Sequence, residues 1–217
     1  MATKFWIFDL DNTLHDATPH IFPHINRSMT AYLQEYLHLD EAAANSLRID
    51  YWQRYGATMS GLMRHHGTDP RHFLWHTHQF PELPRMVLRE PRLRHVLKAL
   101  PGKKMVFSNA PLHYALAVLK LLRVDDLFDD VMAVEQTRFR PKPDSYGFMR
   151  LLRQQSIRAA NCVMVEDSLE NLRAAKKLGM RTVWVNAGTR SSPYADVKIG
   201  NVMQLPRAMS KSTMEGI

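Results

Sequence analysis

From Pro91 to Val185 the chain alternates short apolar runs with amphipathic stretches, and this alternation restricts the fold more than any other feature. Helical spacing over Pro91–Leu100 leads through Pro101-Gly102 into the apolar run Lys104–Ser108. A helix is expected over Leu112–Leu122, a strand over Asp130–Val134 and a helix over Asp144–Arg153. Next come the strand Cys162–Glu166, a helix over Ser168–Leu178 ended by Gly179, and the strand Thr182–Val185. Strands separated by helices pair in parallel through right-handed crossovers, and the helices cover both faces of the sheet. The expected fold class is therefore α/β.

The first strand, beginning at Lys4 and apolar through Phe8, stops at two carboxylates, Asp9 and Asp11. Side chains alternate across an extended chain, so both would leave the strand on one side. Like charges that close to a core cost several kcal/mol or take up a proton unless something pairs them. A hard cation such as Mg²⁺, which favours carboxylate and phosphate oxygens, is the expected partner.

Between the first two strands lies a block with helical spacing only. Apolar residues recur through Pro19–Leu39, Asp40 is placed to cap a second helix over Glu41–Arg54, and Gly56 and Gly61 bracket a short segment. Asp69 and Pro70 open a further helix to about Gln79, and Phe80-Pro-Glu-Leu-Pro84 ends the block. The organisation expected is a core of residues 1–15 and 91–217 with a helical lid of residues 16–90 inserted after the first strand. Residues 210–217 are expected to lack regular structure.

At 217 residues the chain can bury a sizeable core. The lone Cys162 forms no internal disulfide, and no apolar run approaches membrane-spanning length, so a cytoplasmic protein without a membrane partner is expected. The net charge of +8 is spread over scattered Lys and Arg rather than gathered into a stripe with interleaved aromatics. It suits a small anionic substrate. A non-catalytic nucleic-acid module would need the same charge, but its phosphate backbone would be repelled by the carboxylates, and no nucleic-acid partner is expected.

In an open parallel sheet, ligands bind beyond the carboxyl ends of the strands. Four strand ends or following loops here carry polar groups: Asp9 with Asp11, Ser108 with Asn109, Lys142, and Glu166 with Asp167. Alone, Ser108-Asn109 or Asp167-Ser168 is a helix cap and Lys142 a surface lysine. Together they suit phosphoryl transfer. Asp9 is the candidate nucleophile and Asp11 the candidate acid and base. Ser108, the Asn109 amide and Lys142 are candidates for holding phosphate charge, and Mg²⁺ is expected on Asp9, Asp11, Glu166 and Asp167. Thr13 fits a turn-stabilising hydroxyl as well as a site residue.

The run Asp9-Leu-Asp-Asn-Thr-Leu14, Ser108, Lys142-Pro-Asp144 and Glu166-Asp-Ser168 resemble the four ordered motifs of the haloacid dehalogenase superfamily, covering Lys4 to about Val185. The resemblance implies a Rossmann-like core, an α-helical cap inserted after the first motif, and Mg²⁺-dependent phosphotransfer through an aspartyl intermediate. The namesake dehalogenases lack the second acidic residue of the first motif, so Asp11 points to phosphate chemistry.

Within that superfamily, Tyr55-Gly56, Gly61-Leu62, His65-His66-Gly67, Phe22-Pro23 and Glu166–Asn171 resemble the pyrimidine 5′-nucleotidase branch. The resemblance implies a nucleoside 5′-monophosphate substrate. A phosphosugar phosphatase or mutase on the same core is the alternative. Tyr55, Arg64, His65 and His66 are the cap residues placed to meet a base or sugar, with His15 near the hinge. The eleven histidines show no zinc-binding spacing.

Overall fold

The computed structural model describes the backbone of residues 4–214 and the side chains of residues 4–209. Six parallel strands form one sheet in the order β3-β2-β1-β4-β5-β6. They are β1 (Phe5–Phe8), β2 (Lys103–Phe107), β3 (Asp130–Met132), β4 (Cys162–Glu166), β5 (Arg181–Val185) and β6 (Val197–Ile199). The architecture is the Rossmann-like α/β fold expected. β6 has no counterpart in the sequence reading, because three residues, one of them Lys198, carry too little pattern to register as a strand.

Alternation along each strand builds two cores. Trp6, Phe8, Val106, Val163, Val165 and Val183 face one side of the sheet. Ile7, Met105, Phe107, Met164 and Trp184 face the other. Both sides are closed by helices, which is why the strands read as continuous apolar runs. α6 (Leu93–Ala99), α7 (Leu112–Leu122), α8 (Ser145–Gln154) and α9 (Leu169–Lys177) fall where their spacing places them, with ends within about two residues.

Six helices separate β1 from β2: α1 (Ile21–Leu37), α2 (Glu41–Tyr55), α3 (Thr58–His66), α4 (Pro70–Thr77) and α5 (Leu83–Met86), followed by α6. Asp40 caps α2 by accepting from the Ala43 N–H at 2.8 Å, and Asp69 caps α4 through Arg71 at 2.9 Å. Two expectations need correction. Gly61 does not end a segment but lies inside α3, where any Cβ would overlap the Tyr51 ring. The Pro81–Pro84 stretch does not simply end the block, since α5 starts at Leu83 with Pro84 in its first turn, a position that needs no N–H donor.

The inserted helices build a third apolar cluster around Tyr32, Leu33, Leu62 and Phe73, and Val134 and Phe139 of the loop after β3 join it. α10 (Leu205–Met214) corrects the expectation for the tail: Leu205 and Met209, one turn apart, both pack into the main core and order the helix. Residues 215–217, also part of that expectation, lie outside the described residues. None of the helices among the described residues is long and apolar enough to cross a membrane.

Candidate active site

β1 lies at the centre of the sheet, where the order reverses: β2 and β3 extend to one side, β4 to β6 to the other. Such a switch point opens a crevice at the carboxyl ends of the strands. Asp9 leaves β1 there, its N–H still donating to the Val165 carbonyl at 2.9 Å. The chain then turns tightly through Asn12, whose φ of 60° is left-handed, a conformation that Asn tolerates better than most residues. The Asn12 Oδ1 accepts from the Ala17 N–H at 3.0 Å and from the Thr18 hydroxyl at 3.1 Å, which ties the turn down.

Lys142 is the hub of the cluster. Its ammonium, 0% exposed, donates to Asp9 Oδ1, to Glu166 Oε2 and to the Phe107 carbonyl, each at 2.7 Å. It also lies 5.1 Å from the centre of the Phe107 ring. The lysine is held from behind by Asn109: the Asn109 Oδ1 accepts from the Lys142 N–H at 2.7 Å and its Nδ2 donates to the Lys142 carbonyl at 3.0 Å. An amide side chain thus pairs with a peptide group across two loops distant in sequence. The Lys142–Pro143 bond is cis.

Oxygen atoms of Asp9, Glu166 and Asp167 lie within 4.8 Å of one another. Burial raises the Asp9 carboxyl to about 7, with Glu166 adding to the rise and Lys142 opposing it. Glu166 is raised to about 7, again by burial first, against the pull of Lys142. Asp167 is raised by burial and by Asp9. Burial lowers Lys142, but the two carboxylates outweigh it and hold its pKa above the ordinary lysine value.

Three carboxylates against one ammonium leave two negative charges in a buried site. A divalent, oxygen-seeking cation would balance them, so the donor set fits Mg²⁺ on Asp9, Glu166 and Asp167. The sequence assigns Asp11 to the ligand set as well. Its carboxylate is outside that cluster, with Oδ1 accepting from the Tyr114 hydroxyl at 2.6 Å and bonded to His15 Nε2 at 2.9 Å.

One consequence is measurable without metal. Asp9 and Glu166 titrate near 7 in the folded protein and near 4 when unfolded, so the folded state binds more protons between those values. Their contribution to stability is complete below about pH 4 and is lost as pH rises through about 7. Urea denaturation of the chelated protein is therefore expected to give a lower midpoint at about pH 8 than at about pH 6, and added Mg²⁺ is expected to narrow the gap.

The other expected residues divide into two groups. Ser108 is buried at the end of β2 with its Oγ accepting from the Ala110 N–H at 3.0 Å. Tyr55 and Arg64 border a cavity of about 490 Å³ that also reaches Arg140 and Lys142. His65 and His66 do not line it. Their Nε2 atoms pair with the hydroxyls of Tyr55 and Tyr51 at 2.6 and 2.7 Å. A second cavity, of about 660 Å³, reaches Asp167, Thr13 and His15 from the other side. The Thr13 hydroxyl and His15 Nδ1 are buried without a protein partner among the described residues.

Two residues at the site carry no sequence signal. Tyr114 sits in the first turn of α7 amid an apolar run and reads as core. His78 is buried beside it, 5.9 Å between ring centres, and burial lowers it to about 4, so it is neutral at ordinary pH.

Comparison with known proteins places this geometry. Phosphate metabolism protein 8 of Saccharomyces cerevisiae is 28% identical over 194 residues, covering 82% of this chain and 60% of that protein. The chain thus spans about 60% of the length of that curated relative. Among solved structures, a HAD phosphatase from Thermococcus onnurineus superposes with a TM-score of 0.69 at 22% identity, covering 95% of this chain and 97% of the other. A 2-haloacid dehalogenase from Pseudomonas syringae pv. Tomato gives 0.62 at 22% identity, over 97% and 99%. These likenesses show the fold. The model of the haloacid dehalogenase-like hydrolases matches residues 6–185, from β1 through β5 and every strand end that carries the site. The chain therefore belongs to the haloacid dehalogenase-like hydrolase family.

Proposed function

We propose that the protein is a Mg²⁺-dependent phosphomonoester hydrolase that works through an aspartyl-phosphate and prefers pyrimidine nucleoside 5′-monophosphates. The observation that carries this reading is the cluster of buried Asp9, Glu166 and Lys142 with half-buried Asp167 at the switch point of the sheet, with a second carboxylate, Asp11, two residues from the first. Residues 1–15 and 91–217 supply the catalytic core in this reading, and residues 16–90 act as a cap.

An Asp9 carboxylate oxygen attacks phosphorus while the ester P–O bond breaks, and Asp11 gives a proton to the leaving oxygen. Water then attacks the aspartyl-phosphate, Asp11 takes its proton, and the bond to Asp9 breaks to release inorganic phosphate. Lys142 holds Asp9 in place and shares the charge that builds on the phosphoryl oxygens, with Ser108 and the Asn109 amide beside it. Mg²⁺, when bound by Asp9, Glu166 and Asp167, neutralises charge so that one anion approaches another. Asn109 adds to this by clamping the Lys142 peptide.

The nucleotide preference rests on the cap. Tyr55 offers a ring for stacking, and Arg64, which lies 5.8 Å from its centre, offers charge to the same cavity. The yeast relative's name, which refers to phosphate metabolism, agrees with the reaction class.

The test is a screen of nucleoside monophosphates and sugar phosphates for phosphate release, with Mg²⁺ and with chelator. Turnover of pyrimidine nucleotides that is lost in chelator is expected. Release from no monoester with Mg²⁺ present overturns the reaction, and faster turnover of sugar phosphates overturns the preference. Tyr55→Ala is expected to raise KM for a pyrimidine nucleotide about tenfold, the scale of one lost base–aromatic stack, with kcat nearly unchanged.

A further inference from the structure

Asp11 is held in an unusual way for a group that has to pass protons. Both of its protein hydrogen bonds fall on Oδ1: the Tyr114 hydroxyl donates at 2.6 Å and His15 Nε2–H at 2.9 Å. Neither donor bonds Oδ2. The donors come from different parts of the fold, Tyr114 from α7 and His15 from the turn after β1, so they approach one oxygen from two directions. A carboxylate gripped on one oxygen by two donors loses its freedom to rotate and presents the other oxygen in a fixed direction.

Packing explains the Tyr114 ring but not its hydroxyl. The residue is 1% exposed, with Phe80 at 5.1 Å and His78 at 5.9 Å between ring centres, and a phenylalanine would fill the same space. A buried hydroxyl is costly unless partnered, and its partner here is Asp11. The His15 side chain is 0% exposed, whereas that of Asp11 keeps 15% exposure. The grip is therefore buried while the residue it grips keeps some exposure. Phe80 and His78 follow α4, so the Tyr114 ring also rests on the segment that links α4 to α5.

We infer that Tyr114 and His15 are positioning residues for Asp11, fixing Oδ1 so that Oδ2 is the oxygen that gives and takes the proton. This rests on the role given to Asp11 in the proposed hydrolysis. The proton matters only where the leaving oxygen is a poor leaving group. An alkoxide needs it, whereas p-nitrophenolate departs as the anion.

The experiment measures kcat/KM, which reports steps through departure of the leaving group, for uridine 5′-monophosphate and for p-nitrophenyl phosphate. Tyr114→Phe is expected to lower it about 10- to 100-fold for the nucleotide and less than about threefold for the aryl phosphate, with KM and Tm nearly unchanged. His15→Gln, read in the same way, is expected to give the same pattern and keeps the test open should the tyrosine variant not fold. Asp11→Asn serves as reference, with a larger loss of the same shape. Equal losses on both substrates, or no loss in either positioning variant while Asp11→Asn shows the pattern, overturns this inference alone. An Asp11→Asn variant without leaving-group dependence overturns the role of Asp11 itself, and the inference falls with it.

Discussion

Asp9→Asn is expected to lower kcat by about 10⁴-fold or more, because in the proposed reaction the amide removes the nucleophile and no other carboxylate leaves β1 at the same place. The fold is expected to survive. Asp9 is one of three carboxylates competing in a buried site, and a neutral amide of the same shape relieves repulsion with Glu166 while still accepting from Lys142. Two measurements check this. Phosphate release with Mg²⁺ present is expected to vanish, and acid quenching followed by mass spectrometry is expected to find phosphate on the wild-type chain but none on the variant. Full activity in Asp9→Asn would remove the nucleophile from the reading. Loss of activity with loss of folding would leave the wild-type phosphoenzyme as the deciding result.

Lys142→Met is expected to have the largest effect on stability. The methionine fills much of the same space, but Asp9 and Glu166 lose the one ammonium that bonds both at 2.7 Å. Breaking a buried ion pair by removing one partner costs about 3–5 kcal/mol, since the remaining charge is neither solvated nor paired. Here the cost depends on pH. Without the lysine both carboxyls move further up from about 7, so they protonate readily in mild acid and the buried charge disappears. The loss is therefore expected to be greatest at about pH 8 and smallest near about pH 5, as read by urea denaturation of the chelated protein. Activity is expected to fall by about 10²–10³-fold even where the variant is folded, because in the proposed reaction this ammonium shares the charge on the phosphoryl oxygens. A stability loss that does not change between those pH values would mean that the lysine acts by packing.

Much of this was legible in the residues. The polar sets at the strand ends and following loops share one rim because every strand of the sheet is parallel, so all the carboxyl ends lie on the same side. Asp40 and Asp69 announced their caps because an Asx side chain before a helix has a local partner that any reader of the chain can name. Gly61 misled for the opposite reason. A glycine suggests a break, but this one is absent of side chain to admit the Tyr51 ring, a contact that exists only once α2 lies against α3.

The histidines of α3 show the same limit. His65 and His66 stood beside Tyr55 and Arg64 as residues to meet a base, since all four types stack or carry charge. Position in α3 does not say which side chains are already engaged. Tyr55 and Tyr51, one turn apart on α2, take the two imidazoles, while Tyr55 and Arg64 reach the cavity.

The sequence by itself determined the parallel α/β core, the helices between its first two strands and the identity of the charged groups, because these follow from periodicity and from residue type at strand ends. Only the tertiary structure decided how those groups are shared. It placed Lys142 between Asp9 and Glu166, turned Asn109 onto the Lys142 peptide, and gave Asp11 to Tyr114 and His15 instead of to the carboxylate cluster. The physical reason is that a hydrogen bond belongs to two residues at once. Tyr114 lies 103 positions from Asp11, and nothing in the chemistry of either alone names the other.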